Sequence, residues 1–216
     1  MKRRPLPVAA ALVATALLLT ACGSGDDKSS DNDKIVGADS AASASPTPPN
    51  ASDGDAKRPR MNLPRDVKET FEGWTTGDAA KDEILADAGL AQSAVTYAVT
   101  QGDPESPALS FYQADSALAG SRDWVKGIVD SGFTYHGTVR YYAPDISVFD
   151  KKSAGVSYCA DESKAFNKNL KTNKIDKTPA SDDSFVLYST RLEKNSSGVW
   201  KTTKLESERG NKACLR

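Results

Sequence analysis

The spacing of apolar residues changes from a helical to a strand period at Gly132, and this change limits what the chain can fold into. Upstream, apolar residues from Ile84 to Val99 recur every three or four positions, which predicts an amphipathic helix over residues 79–101. Downstream, large apolar and polar residues alternate from Phe133 to Tyr142, as in a half-buried strand. The order predicts helices followed by a sheet.

Two further helical segments are predicted before Gly132. Val67, Phe71 and Trp74 have helical spacing and predict a short helical stretch. Another helix is predicted from residue 107 or 115 to residue 130. We expect the folded part to begin near Leu63 and to cover residues 63–216.

Strand-like alternation returns three times after residue 142. It is seen at Val156 and Tyr158, over residues 185–188 and over residues 199–205, and Asn195-Ser196-Ser197-Gly198 predicts a hairpin between the last two strands. The sequence therefore predicts an α+β fold, with N-terminal helices packed on one face of a curved antiparallel sheet.

The first 22 residues combine a cationic start, an apolar run and a cysteine. Lys2-Arg3-Arg4 precedes an apolar run from Leu6 to Leu19, which is too short for a membrane-spanning helix. Leu19-Thr20-Ala21-Cys22 then resembles the lipobox of bacterial lipoproteins. This resemblance implies removal of a signal peptide over residues 1–21 and attachment of diacylglycerol and palmitate to Cys22. The chain would then lie on the extracytoplasmic face of the cell membrane; the alternative is an ordinary secretory signal with an incidental cysteine.

Residues 22–62 are predicted to form a disordered tether behind the lipidated cysteine. From Gly23 to Ala56 the chain has no aromatic residue and little aliphatic surface to bury. A flexible coil of this length spans about 35 Å on average. Lys57, Arg58, Arg60 and Arg65 follow it, either as a contact for anionic lipid or as a solvated linker end. The net charge of −1 does not favour nucleic-acid binding.

Cys159 and Cys214 remain as a pair once Cys22 is assigned to the anchor. An even remainder in an exported protein favours a disulfide, and two buried free thiols are the alternative. The absence of C-x-x-C spacing indicates a structural bond and not a redox-active one.

Short segments spread over nearly the whole mature domain carry a resemblance to a known family. They are Phe71-Glu72-Gly73-Trp74, Thr76-Gly77-Asp78, Pro107-Ala108-Leu109 through Tyr112, Gly137 to Tyr142 with Pro144, Val156 to Ser163, Val199-Trp200-Lys201 and Ala213-Cys214. With these segments the mature domain resembles the NTF2-like cone fold of small actinobacterial lipoproteins, and its length and layout are similar to those of CseA-type accessory lipoproteins. This resemblance implies a non-catalytic module without a cofactor that restrains the extracytoplasmic part of an envelope-stress sensor kinase feeding a sigma factor. Small-ligand binding or catalysis in the cone pocket is the alternative.

His136 is the only histidine and the first candidate for a pocket or partner contact. Cone enzymes pair a histidine with an acid, which Asp115, Asp145 or Asp161 could supply here. The alternative is an exposed strand histidine. No Cys/His cluster has the spacing of a metal site, so we expect no bound metal.

Asp161 and Ser163 are further candidates for contacts at the cone mouth. Alternatively, Asp161 caps a turn and Ser163 bonds backbone.

Two sets of residues have a simpler explanation beside a functional one. Five lysines are predicted in a polar arm between two strands, which could meet an acidic partner or be solvated. The three tryptophans are predicted to lie in the core because each has periodic apolar neighbours. The lysines are Lys164, Lys168, Lys171, Lys174 and Lys177, and the tryptophans are Trp74, Trp124 and Trp200.

Overall fold

The computed structural model describes residues 57–215. The predicted signal peptide, the lipidation site Cys22 and residues 22–56 of the predicted tether lie outside this range. No helix between residues 57 and 215 is long and apolar enough to cross a membrane.

Three α-helices are found in the described part of the chain: α1 (Ala79–Gln101), α2 (Pro107–Tyr112) and α3 (Asp115–Asp130). The predicted bounds of α1 are confirmed. The Asp78 side chain accepts hydrogen bonds from the first-turn N–H groups, and Gly102 ends the helix in the left-handed region at φ 66°.

The helix predicted from residue 107 or 115 to residue 130 is two helices, α2 and α3, because the chain is extended at Gln113. Gln113 forms an isolated parallel bridge with Thr202, and the Ala114 N–H donates to the Thr202 carbonyl at 2.9 Å. This contact with a distant strand holds the chain extended between α2 and α3.

The described strands are β1 (Val67–Phe71), β2 (Phe133–Val148), β3 (Ser153–Asn169), β4 (Ile175–Asp176), β5 (Phe185–Lys194) and β6 (Trp200–Arg209). They form a sheet in the order β1-β2-β3-β5-β6, with β4 also paired to β3. The predicted α+β class is confirmed, and so is the hairpin between β5 and β6.

The segment that contains β1 was predicted to be helical, and this prediction was wrong. Val67–Phe71 is a strand that pairs in parallel with β2, with Val67 opposite Gly137 and Phe71 opposite Tyr141. The sheet is therefore mixed and not wholly antiparallel. Over only five residues, the spacing of Val67 and Phe71 fits the helical and the strand period equally well. Pairing with the distant strand β2 makes the segment a strand.

The core lies between the helices and the sheet face that they cover. Trp74 and Trp200 are buried there, as predicted. Trp124 is 51% exposed, so the prediction of a core position for it was wrong. Its side chain lies on α3 near the edge of the site described below.

The predicted disulfide between Cys159 and Cys214 is present, with the two Cα atoms 5.5 Å apart. Both cysteines are buried on the outer face of the sheet, which is the face opposite the helices. The Tyr142 hydroxyl also donates to the Cys214 carbonyl. Together these bonds hold the C-terminal segment against the sheet.

The chain ahead of β1 is attached to the domain at Arg58 by a largely buried ion pair. The Arg58 guanidinium bonds the carboxylate of Asp87 on α1, and this carboxylate also accepts the backbone N–H of Trp200 at 2.8 Å. Asp87 is 1% exposed. Arg58 is therefore engaged by the protein, whereas Lys57, Arg60 and Arg65 are exposed.

Candidate functional site

A cavity of about 640 Å³ lies between the helices and the sheet. Its helical wall comes from α1 and α3, and all six strands β1 to β6 contribute to its sheet wall. Alternation along β2 turns Tyr135, Val139 and Tyr141 toward the helices. The alternation that was predicted for β2 therefore determines which of its side chains form the sheet wall of the cavity.

Glu69 is a buried carboxyl in the wall of this cavity. It is 5% exposed, and its two oxygens accept hydrogen bonds from Ser93 Oγ and Thr96 Oγ1 of α1, each at 2.6 Å. Burial raises the pKa of Glu69, and these two hydroxyl bonds only partly oppose the rise. The carboxyl is therefore easier to protonate than a carboxyl in water.

Tyrosines surround the inner part of the cavity. Tyr141 lines it and is 5% exposed, and its hydroxyl makes no hydrogen bond to any residue between 57 and 215. Tyr158 lies behind it and accepts from the Gln92 amide at 2.6 Å, while its ring stacks on Tyr188 with centroids 5.4 Å apart. Burial raises the pKa values of all three tyrosines, so their hydroxyls remain protonated at neutral pH.

Polar and aromatic groups meet at the edge of the cavity. The exposed indole of Trp124 donates to Tyr135 Oη at 2.7 Å, and burial raises the pKa of Tyr135 to about 12. Glu162 forms an ion pair with Arg209 at 2.7 Å. This edge therefore carries apolar rings next to a neutralised pair of charges.

His136 borders the cavity, but its acid is not one of the three predicted. Its Nδ1 lies 3.2 Å from Asp66 Oδ2, and the same oxygen accepts from Lys168 Nζ at 3.0 Å. Asp66 directly precedes β1, whose parallel pairing with β2 brings the two side chains together. The pairing with Asp115, Asp145 or Asp161 was wrong because it assumed a sheet without β1.

Asp161 and Ser163 do not line the cavity. Asp161 accepts the Ser163 N–H at 3.0 Å and lies 3.4 Å from Arg140, whose guanidinium stacks over the Tyr142 ring on the outer face. Burial would raise the pKa of Asp161, but the bonds from Ser163 and then Arg140 outweigh it and lower the pKa. Both residues lie inside β3, so Asp161 does not cap a turn, and the turn-capping alternative was wrong. A partner contact on the outer face stays a prediction.

The predicted lysine arm is only partly an arm. Lys164 and Lys168 belong to the long strand β3, which was predicted to end earlier. Lys171, Lys174 and Lys177 lie in the connection to β5, where they are mostly exposed, and Lys168 is engaged by Asp66. The five lysines therefore do not form one continuous surface.

Sequence reasoning missed Glu69 and Tyr141, the central polar residues of the cavity. Glu69 occupies the middle inward position of the alternating segment Val-Lys-Glu-Thr-Phe. A charged residue at an inward position was the available signal, but it was hidden once the segment had been assigned to a helix.

No protein-family model and no curated protein matches the chain. Among solved structures, the intermembrane space region of the chloroplast protein ARC6 is similar at 14% identity and a TM-score of 0.42, covering 62% of this chain and 98% of that one. A ketosteroid isomerase-like protein from Erwinia carotovora atroseptica is similar at 16% identity and a TM-score of 0.41, covering 58% of this chain and 92% of that one.

Proposed function

We propose that this chain is a lipid-anchored extracytoplasmic binding protein whose cavity takes a small molecule with an apolar body and a polar group. The observation that carries the proposal is the cavity itself, which is open and has the buried residues Glu69 and Tyr141 in its wall. Its volume falls within the range of about 300–1,000 Å³ typical of small-molecule sites.

The polarity of the cavity wall supports ligand binding over a purely structural void. The Tyr141 hydroxyl has no hydrogen-bond partner among residues 57–215, so it is open to a polar group of a ligand. Glu69 has used only two of the acceptor positions of its carboxyl and can accept a further bond. The pair of His136 with Asp66 at the cavity border is the arrangement that catalysis would need, so catalysis in the same cavity is the alternative.

The lipoprotein-like start places this cavity, in our proposal, at the outer surface of the cell membrane. The resemblance to NTF2-like lipoproteins supports a further version, in which the domain restrains an envelope-stress sensor kinase and its sigma factor. Deleting the gene should then raise envelope-stress promoter output, and Cys22→Ser should reproduce that effect. Unchanged output in the deletion strain would refute the regulatory version and leave ligand binding standing.

Two glycines of α3 provide a matched test of the cavity. Gly120 lines the cavity and Gly127 does not, and a Cβ added at either position meets no atom within 4 Å. Gly120 is exposed at the cavity edge, so Gly120→Trp should obstruct the cavity opening, whereas Gly127→Trp adds the same side chain to the same helix elsewhere.

The measurement is ligand-observed NMR with a fragment library on the mature chain carrying Cys22→Ser. Fragments that bind the parent chain should also bind Gly127→Trp and should be lost in Gly120→Trp. Fragments that bind all three chains equally, or a library without any binder, would refute the proposed function.

A further inference from the structure

Glu69 lacks a cationic partner within the described part of the chain. Its hydrogen-bond partners are the neutral hydroxyls of Ser93 and Thr96, and it belongs to no salt bridge there. By contrast, the other buried acid, Asp87, is paired with Arg58. Buried carboxylates in proteins are usually paired with a cation, so the absence of a cation beside Glu69 calls for an explanation.

The charged residues that line the cavity are mainly acidic. Arg209 is neutralised by its ion pair with Glu162, and Lys68, Asp176 and Asp183 are exposed. Glu69 is therefore the buried lining residue whose charge, when ionised, no lining cation compensates. The acidic lining residues are Glu69, Glu162, Asp176 and Asp183, against the cationic Lys68 and Arg209.

Aromatic rings occur in the same cavity as this unpaired carboxyl. Tyr135, Tyr141, Tyr188 and Trp124 all line it. Ring faces attract cations, and the attraction grows when the cation is removed from water.

Tyr141 is a neighbour of Glu69 in the strand register and also lines the cavity. Glu69 pairs with Val139 and Phe71 pairs with Tyr141, so Glu69 and Tyr141 are diagonal neighbours on the inward face. The Tyr141 hydroxyl has no hydrogen-bond partner among residues 57–215 and is not one of the fully buried atoms there, so it can accept from a donor in the cavity. The free Tyr141 hydroxyl is a second observation that points to a hydrogen-bond donor in the ligand, separate from the uncompensated charge of Glu69.

We propose that the cavity takes an organic ammonium ion with an apolar body, whose N–H groups donate to the Glu69 carboxylate and to the Tyr141 hydroxyl. This proposal rests on the proposed function and specifies the class of ligand. The aromatic wall contacts the apolar body, and the carboxylate supplies the charge that the protein itself does not compensate.

Proton release accompanies binding if Glu69 is protonated in the empty cavity. The ammonium ion then replaces one proton, which leaves Glu69 for the solvent, and the total charge balances. Burial, and secondarily the charge of Glu69, raises the pKa values of Tyr141 and Tyr158, while α1 faces Glu69 with the neutral Ser93 and Thr96. These tyrosines stay neutral, so affinity for the ammonium ion should rise with pH as Glu69 ionises.

The test compares three probes of similar shape by isothermal titration calorimetry: 4-phenylbutylammonium, 4-phenyl-1-butanol and 5-phenylpentanoate. With the mature chain carrying Cys22→Ser at pH 8, the ammonium probe should bind at least tenfold more tightly than the alcohol and the carboxylate. Its affinity should increase at least tenfold from pH 5 to pH 8. Tighter binding of the alcohol, or affinity that falls with rising pH, would overturn the ammonium assignment and leave the proposed function intact.

Variants separate the two polar contacts. Glu69→Gln should reduce the preference for ammonium over alcohol to less than threefold and remove the pH dependence, and Tyr141→Phe should weaken ammonium binding while the pH dependence persists. Binding of the ammonium probe that survives Gly120→Trp would place it outside the cavity and overturn the inference. The wild-type pH series decides the question even if Glu69→Gln does not fold.

Discussion

The ion pair between Arg58 and Asp87 sets the point at which the predicted tether leaves the domain. Asp87 is 1% exposed and Arg58 is 20% exposed. Removing one partner of a buried pair costs about 3–5 kcal/mol, because the other charge is left without compensation. Here Arg58→Ala leaves Asp87 buried with the Trp200 N–H as its remaining bond. The partial exposure of Arg58 puts the expected loss near the lower end, at about 3 kcal/mol.

Urea unfolding of the mature chain followed by tryptophan fluorescence measures this loss. The control is Glu105→Gln, which removes the surface ion pair with Arg122, where the side chains are 69% and 37% exposed. That variant should change the unfolding free energy by less than about 1 kcal/mol. An Arg58→Ala loss as small as that of Glu105→Gln would refute the account, since the tether end would then not be held by the domain.

Three further predictions follow from the buried carboxyl, the disulfide and the lipobox. The pKa of Glu69 is raised by burial, so its contribution to stability is complete at low pH and is lost as pH rises through the folded-state pKa. Glu69→Gln should therefore gain unfolding free energy relative to the parent chain as urea titrations move from pH 5 to pH 8; a constant difference would show that Glu69 does not titrate there. Reduction of Cys159–Cys214, which closes a separation of 55 residues, should cost about 4 kcal/mol in the same assay, and an unchanged midpoint in reductant would contradict this. Mass spectrometry of protein extracted from membranes should find a diacylglyceryl-modified N-terminal peptide that begins at Cys22, and an unmodified peptide cut elsewhere would point to an ordinary secretory signal.

The elements that local periodicity defines well were predicted from the sequence. Helix α1 has a capping aspartate at one end and a glycine at the other, and both act over only a few residues. The disulfide followed from cysteine number and the predicted compartment. These features depend on nearby residues or on simple counting, which a single sequence contains.

The features that sequence reasoning missed depend on distant contacts. Strand β1 is defined by parallel pairing with β2, some seventy residues later in the chain, and its five residues fit either period. Missing β1 removed both Asp66 and Glu69 from consideration, so the partner of His136 and the buried carboxyl were missed together. The break between α2 and α3 likewise depends on Gln113 meeting Thr202.

The central claim is that a small molecule binds inside the cavity and not on the outer face of the sheet. Amide chemical-shift mapping with 4-phenylbutylammonium and 4-phenyl-1-butanol tests it directly on the mature chain carrying Cys22→Ser. The account predicts that the largest shifts for a bound probe lie at Glu69, Gly120 and Tyr141. Largest shifts at Arg140 and Asp161 on the outer face, or no shifts with either probe, would contradict it.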